Sequence, residues 1–196
     1  MRHIIYFSSS AQTSGKALSS GDLMKAGRID IAIHSFIQGV FLSHGFREDV
    51  TFHFIFYGMP DPPKHLEITV SDKLDISKKD VGNMIKKMLY KYRAGERTEV
   101  FPGCFVEKKS FLKVIEELIE KDVECFMLEK NGKSIRDIKI PKDSCFILGD
   151  HDGLPKKEVK RLKQANSIKE ISIGPKMYFA SQTVAVVNNE LDFRGI

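Results

Sequence analysis

Short apolar runs break off into polar or glycine-bearing loops three times in the last third of the chain. Cys125-Phe126-Met127-Leu128 precedes Glu-Lys-Asn-Gly, Cys145-Phe146-Ile147-Leu148 precedes Gly-Asp-His-Asp-Gly, and Ile171-Ser172-Ile173 precedes Gly-Pro-Lys-Met. Buried strands that stop at flexible loops predict a parallel sheet whose carboxyl ends form a ligand crevice. Glycine in those loops lets a ligand approach the main chain closely, which suits the polar edge of a purine.

The rest of the pattern alternates strands with helices. His3 to Phe7 reads as a strand, followed by a polar loop rich in serine and glycine up to Gly21. From Gly27, residues Ile29, Ile33, Phe36, Ile37, Val40 and Phe41 recur at helical spacing, and the helix is expected to stop near His44-Gly45 with the glycine as its cap. Val50 to Tyr57 and His65 to Val70 are strands, separated by a proline-rich loop from Gly58 to Pro63. Val81, Ile85, Met88, Leu89 and Tyr92 mark an amphipathic helix with a lysine-rich outer face. The stretch Phe101 to Phe105 is irregular or a short strand, and Ser110 opens a helix carrying Phe111, Val114, Ile115, Leu118 and Ile119 on one side. Asn131-Gly132 signals a turn, Leu154-Pro155 opens a further helix, and the last helix is apolar through Val184-Ala185-Val186-Val187. The alternation predicts an α/β fold with a mostly parallel sheet and flanking helices, within one domain spanning residues 1–196.

Composition narrows the partners. With 31 Lys and Arg against 26 Asp and Glu, the net charge is +5, which favours an anionic partner but equally fits an ordinary basic protein. No apolar run approaches the roughly 18 residues that span a bilayer, so no membrane association is expected, and the first seven residues are not expected to act as a signal peptide. Cys104, Cys125 and Cys145 show no metal-type pairing and read as reduced core residues of a cytoplasmic protein. His34, His44, His53 and His65 lack metal-ligand spacing and read as ordinary, so no metal site is expected. Gly-x-Gly-x-x-Gly and Walker motifs are absent, which argues against dinucleotide and nucleoside triphosphate binding.

The order Leu-Glu-Lys-Asn-Gly, Phe-Ile-Leu-Gly-Asp-His, Ser-Ile-Gly-Pro resembles the three cofactor loops of the SPOUT class of S-adenosylmethionine-dependent RNA methyltransferases. Gly27-Arg28-Ile29-Asp30, Phe41-Leu42-Ser43-His44-Gly45-Phe46-Arg47-Glu48-Asp49-Val50 and Asn189-Glu190-Leu191-Asp192 narrow the resemblance to the archaeal tRNA pseudouridine N1-methyltransferases. The resemblance implies a C-terminal trefoil knot over about residues 123–196, a homodimer, and methylation of N1 of a T-loop pseudouridine, position 54 of tRNA. Alternatives are a SPOUT methyltransferase acting on another RNA nucleoside, such as an rRNA pseudouridine or uridine, and a non-catalytic RNA-binding assembly factor. The complete set of cofactor loops speaks against the last of these.

By this resemblance Leu128, Gly149, Ile173, Gly174, Pro175, Lys176, Met177 and Thr183 would hold S-adenosylmethionine, mostly through main-chain groups. Thr183 stands where family members commonly carry cysteine. A main-chain contact survives that exchange, whereas a thiol-specific role does not. Arg28 and Asp30 read locally as a solvated arginine and a favourable helix-start carboxylate. The resemblance makes them instead the catalytic nucleoside-recognition pair, Asp30 accepting the N1 hydrogen and Arg28 binding a phosphate or base carbonyl. Asp150 would balance the sulfonium charge or bind the cofactor. RNA contacts would come from Arg28, Arg47, His151 and Lys156, the last within a run with Lys157, Lys160, Arg161 and Lys163. A second basic group comprises Lys86, Lys87, Lys91, Arg93 and Arg97. Either run is also explained as a solvated helix face.

Overall fold

The structure is a computed structural model that describes every residue except Gly21 and Asp75, and every other side chain except that of Ser20. The expected end of the first polar loop at Gly21 therefore lies outside the described residues. In chain order the elements are β1 (Arg2–Ser8), α1 (Ile29–Val40), β2 (Phe41–Leu42), β3 (Gly45–Phe46), β4 (Val50–Phe56), β5 (Lys64–Thr69), α2 (Val81–Lys91), β6 (Thr98–Phe101) and β7 (Cys104–Glu107). They continue as α3 (Phe111–Ile119), β8 (Glu124–Ser134), β9 (Ser144–Gly149), α4 (Lys156–Gln164), β10 (Lys169–Ser172) and α5 (Ala180–Arg194).

One sheet takes the order β10-β8-β9-β1-β4-β5-β7-β6. The strands from β10 to β4 run parallel, and β5, β7 and β6 extend the sheet antiparallel. Every residue of β4 is buried, as a central strand covered on both faces requires. On one face Tyr6, Phe52 and Phe54 pack under α1, α2 and α5, with Phe36 of α1 at 5.3 Å from the Phe52 ring. On the other, Ile5, Phe7, Ile55 and Ile147 meet Phe111 and Ile115 of α3 and Leu162 of α4. The three cysteines are free and buried. No helix among the described residues is long and apolar enough to cross a membrane.

Several local expectations hold. The Ser110 side chain caps α3 by accepting from Lys113 N at 3.2 Å, α4 starts directly after Pro155, and the stretch around Pro102-Gly103 is the turn between two short strands. Two expectations need correction. First, α1 ends at Val40 and not near His44-Gly45. Phe41-Leu42 pairs with Gly45-Phe46 in a small hairpin, and Arg47 N–H takes the Val40 carbonyl at 2.8 Å. Phe41 continued the apolar spacing because its ring packs edge-on against Phe36, whatever its backbone conformation.

Second, Asn131-Gly132 does not make a turn between separate strands: both residues lie within β8. The pairing with β10 shifts there, Glu170 opposing Met127 and Ile171 opposing Lys133, so residues 128–132 are left out of that ladder. A Cβ on Gly132 would sit 2.6 Å from the Ile171 backbone, so the glycine serves close packing of two backbones.

The two helices that flank the site are tied to each other. Buried Asn188 of α5 donates to the carbonyls of Gln38 and Gly39 at 3.3 and 3.0 Å, and Arg2 donates to its Oδ1 at 3.3 Å. Gly39 lets α1 approach closely: a Cβ there would touch Phe52 and Val184 at 3.0–3.3 Å.

Histidines from three neighbouring strands form a relay across the sheet. His3 Nδ1 lies 3.1 Å from His53 Nε2, His53 Nδ1 lies 2.9 Å from His65 Nε2, and His65 Nδ1 lies 3.1 Å from Glu107 Oε1. One tautomer, protonated at every Nδ1, satisfies all links with neutral rings. Burial pushes His3 down to about 4 and His53 well below the ordinary histidine range. Burial opposes ionisation of Glu107, but donors from His65 and Lys109 outweigh it and hold the carboxyl at about 2. The unfolded chain therefore takes up protons between pH 6.5 and about 4 that the folded chain refuses, and stability falls with pH across that window. Between pH 7 and 5 the expected loss is roughly 2 kcal/mol for each imidazole that stays neutral. The Glu107 contribution persists above the ordinary carboxylate range and is lost only as pH falls toward 2. Urea midpoints measured from pH 7 to 4 should fall steadily. A flat midpoint would show that the folded relay accepts a proton freely.

Candidate active site

Five parallel strands deliver their carboxyl ends to one edge of the sheet, the usual place for a ligand in such a fold. The β8 stretch that β10 bypasses, the segment after β10 and the first turn of α5 enclose a cleft of about 120 Å³ there. Its lining includes Leu128, Ile173, Gly174, Lys176, Met177 and Thr183, six of the eight residues expected to hold the cofactor. Pro175 lines an adjoining cleft of about 550 Å³ that shares Lys130, Ser172, Ile173, Gly174 and Tyr178 with the first. Gly149 stands outside both linings, at the end of β9. A Cβ there would meet Gly153 backbone at 2.6 Å, so it is needed for the tight turn that carries Asp150.

The cleft combines apolar walls with reachable main-chain groups. Leu128, Ile173 and Met177 give apolar walls, while Ser172 Oγ donates to the Gly174 carbonyl at 3.1 Å and accepts from its N–H at 3.2 Å, fixing the loop. Gly174 adopts φ +149, and a Cβ built there meets only Tyr178 at 3.8 Å, so a ligand can reach its main chain directly. Sequence reasoning missed Glu129, Lys130, Ser172 and Tyr178 in this lining. Their positions beside Leu128 and Gly174 were the available signal.

The second half of the site comes from β1 and the start of α1. Gly27 has φ +76, and a Cβ on it would lie 1.8 Å from the Ser10 carbonyl oxygen, so α1 begins pressed against the loop that leaves β1. Arg28 follows in the left-handed region at φ 60, a strained conformation for a side-chain-bearing residue. Its Nε and Nη2 donate to Asp30 Oδ1 and Oδ2, each at 3.0 Å. That pair holds the half-buried Asp30 carboxyl below the usual range, so it is an ionised hydrogen-bond acceptor. Next to it, Ser8 Oγ donates to Asp150 Oδ2 at 2.5 Å and Asp152 N–H to Oδ1 at 2.9 Å. His151 is exposed on that turn, 3.5 Å from Asp152.

The expected RNA contacts divide. Lys156 is exposed at the start of α4, and α4 is held to the sheet by Tyr57, whose hydroxyl donates to Glu158 Oε1 at 2.9 Å and accepts from Phe111 N–H at 3.0 Å. Arg47 is placed elsewhere. Its guanidinium donates to both oxygens of Asp192 at 2.6 and 2.5 Å, its side chain is 13% exposed, and Arg2 shares the same carboxylate at 2.9 Å. It stands at the end of the sheet opposite Leu128 and Gly149, joining the β2–β3 hairpin to α5. Burial opposes ionisation of Asp192, and the two arginines outweigh it, holding its pKa below the usual range.

Comparison with known proteins places the chain in a family. The family described as "Putative SAM-dependent RNA methyltransferase" matches residues 1–196. A protein of Vibrio campbellii described as "Putative pseudouridine methyltransferase" is 34% identical over 200 residues, covering 99% of each chain. The tRNA (pseudouridine(54)-N(1))-methyltransferase of Pyrococcus abyssi is 34% identical over 182 residues, covering 87% of each. Among solved structures, Archaeoglobus fulgidus Nep1 bound to S-adenosylhomocysteine superposes with a TM-score of 0.64 at 12% identity, covering 100% of this chain and 99% of that one. With every residue matched by the family model and relatives aligned almost end to end, this chain belongs to the SAM-dependent RNA methyltransferase family that includes the archaeal tRNA pseudouridine N1-methyltransferases.

Proposed function

We propose that the protein transfers the methyl group of S-adenosylmethionine to N1 of the T-loop pseudouridine at position 54 of tRNA. The observation that carries this reading is an ionised carboxylate, Asp30, on the same sheet edge as the cleft that Leu128, Gly174 and Thr183 line. Pseudouridine is joined to its sugar through carbon, so N1 carries a hydrogen that must leave as the N–CH₃ bond forms. When bound, S-adenosylmethionine supplies a methyl carbon activated by the sulfonium, whose carbon–sulfur bond breaks to a neutral thioether. The chain's own part is to hold the base edge, accept the N1 proton on Asp30 and exclude water. Leu128, Ile173, Gly174, Lys176, Met177 and Thr183 would hold the cofactor, with Gly149 shaping the neighbouring turn and Pro175 the outer wall. Asp150, fixed by Ser8, would face the sulfonium charge. Arg28 would bind a phosphate of the flipped nucleotide, while Lys156 and His151 would follow the RNA backbone.

In this reading the chain is one SPOUT domain, working in the cytoplasm where tRNA is modified. The bypassed residues 128–132 and the segment between β10 and α5 belong to its trefoil knot. Met177 and Phe179 before the start of α5, and Phe193 near its end, are 81%, 77% and 89% exposed, apolar side chains that a second copy of the chain would cover. The RNA would then lie between one protomer's cleft and its partner.

A T-loop stem carrying pseudouridine should be methylated, and mass mapping should place the methyl on N1. The same stem with uridine lacks an N1 hydrogen and should not react. Comparable methylation of the uridine stem would overturn the assignment, and sedimentation of the same preparation as a monomer at micromolar concentration would overturn the dimer.

A further inference from the structure

A buried phenol lies unpaired at the edge of the site. Tyr6 of β1 is 0% exposed, and among the described residues its hydroxyl has no hydrogen-bond partner. More than about nine in ten buried polar groups are paired, and an orphan destabilises the fold, so this one calls for a reason. Tyr6 and Ser8 alternate onto the same face of β1. Ser8 binds Asp150, and α1, which starts with the Arg28–Asp30 pair, covers that face. Burial pushes the phenol pKa far up, the carboxylates of Asp150 and Asp30 push it further, and Arg28 eases it. The hydroxyl is therefore a protonated donor in the field of those three charges.

The two carboxylates differ in what they still need. Asp150 has donors on both oxygens, from Ser8 and from the Asp152 main chain. The side-chain donors to both oxygens of Asp30 come from Arg28, beside a bond from its own main chain. The Arg28 side chain is 41% exposed, and a guanidinium is a strong ligand for phosphate, so an RNA backbone can draw it away. Ile29, next to Asp30, packs in the same core as Tyr6, so a freed Asp30 carboxylate would share the start of α1 with the face of β1 that carries the unpaired hydroxyl.

We propose that Tyr6 is a positioning residue for methyl transfer: when an RNA phosphate draws Arg28 from Asp30, the Tyr6 hydroxyl donates to the freed carboxylate and aims it at the N1 hydrogen. This rests on the pseudouridine reading of the site. Exchange of a cationic donor for a neutral one makes Asp30 a stronger base without releasing it.

Tyr6→Phe removes the hydroxyl and keeps the ring. The free protein should melt about 2–4 °C higher, because an orphan buried group is gone. The single-turnover rate at saturating RNA and cofactor should nevertheless fall about ten- to a hundredfold, with RNA affinity unchanged. The acid limb of that rate should move to higher pH, since the Asp30 carboxylate loses a donor. A purely structural hydroxyl would move neither the rate nor its pH limb. An unchanged rate overturns the proposal, and so does a lower melting temperature, which would mean that the hydroxyl has a structural partner. If the wild-type product is N1-methylpseudouridine and Tyr6→Phe keeps the rate, only the Tyr6 proposal fails. If the product is a different nucleoside, the pseudouridine reading fails and takes this proposal with it.

Discussion

Asp30→Asn should slow methyl transfer by about 10²–10⁴-fold in single turnover, while S-adenosylmethionine binds as before. The amide matches the carboxylate in shape and still accepts through its oxygen, so the fall is expected toward the lower end of that range. It cannot take up the N1 proton, and it presents no full charge to Arg28. Cofactor affinity is the internal control, because Asp30 does not line the Leu128–Thr183 cleft. Calorimetry should give the wild-type dissociation constant. A wild-type single-turnover rate under saturating RNA and cofactor would make Asp30 a helix-start residue and nothing more.

Gly27→Ala is expected to act on both fold and rate, for a reason that lies entirely in the backbone. The new Cβ would fall 1.8 Å from the Ser10 carbonyl oxygen, and the left-handed φ of +76 adds its own strain. Overpacking and strain together should destabilise the protein by roughly 2–4 kcal/mol, lowering the melting temperature by about 5–15 °C. Relief comes only by moving the start of α1 away from β1, which carries Arg28 and Asp30 with it. A displacement on the order of 1 Å can lower a rate about a hundredfold, so the folded fraction should also be slow. Normal turnover per folded molecule would show that the start of α1 does not need this seat.

These effects mark where sequence was informative and where it was not. The parallel strands were readable because β1, β4 and β9 are buried on both faces and so appear as unbroken apolar runs. Most of the cleft lining was marked in the sequence because Leu128 belongs to the apolar run of β8 and Ile173 to Met177 follow directly on β10. The pairing of Arg47 with Asp192 could not be read from the sequence, because the two lie 145 positions apart, a distance no local pattern spans. Gly45 and Asn131-Gly132 carry genuine turn chemistry that tertiary packing overrode, through a hairpin in one case and a backbone contact with Ile171 in the other. Tyr6 and Ser8 look like any buried strand residues. Only the arrival of α1 and the Asp150 turn from distant parts of the chain gives them chemical neighbours. His53 and His65 looked unremarkable for the same reason, since the relay needs three strands in register.

The Asn188 contacts have a consequence for the cleft that Thr183 lines. Val184 and Asn188, on the turns of α5 that follow Thr183, both meet the end of α1, one packed close to Gly39 and the other hydrogen-bonded to the carbonyls of Gln38 and Gly39. Tilting this wall of the cleft would strip a buried amide of its partners, at a cost of roughly 1–3 kcal/mol. A ligand entering the cleft would therefore be accommodated by the segment between β10 and α5, where Met177 and Phe179 are exposed, and not by a movement of α5.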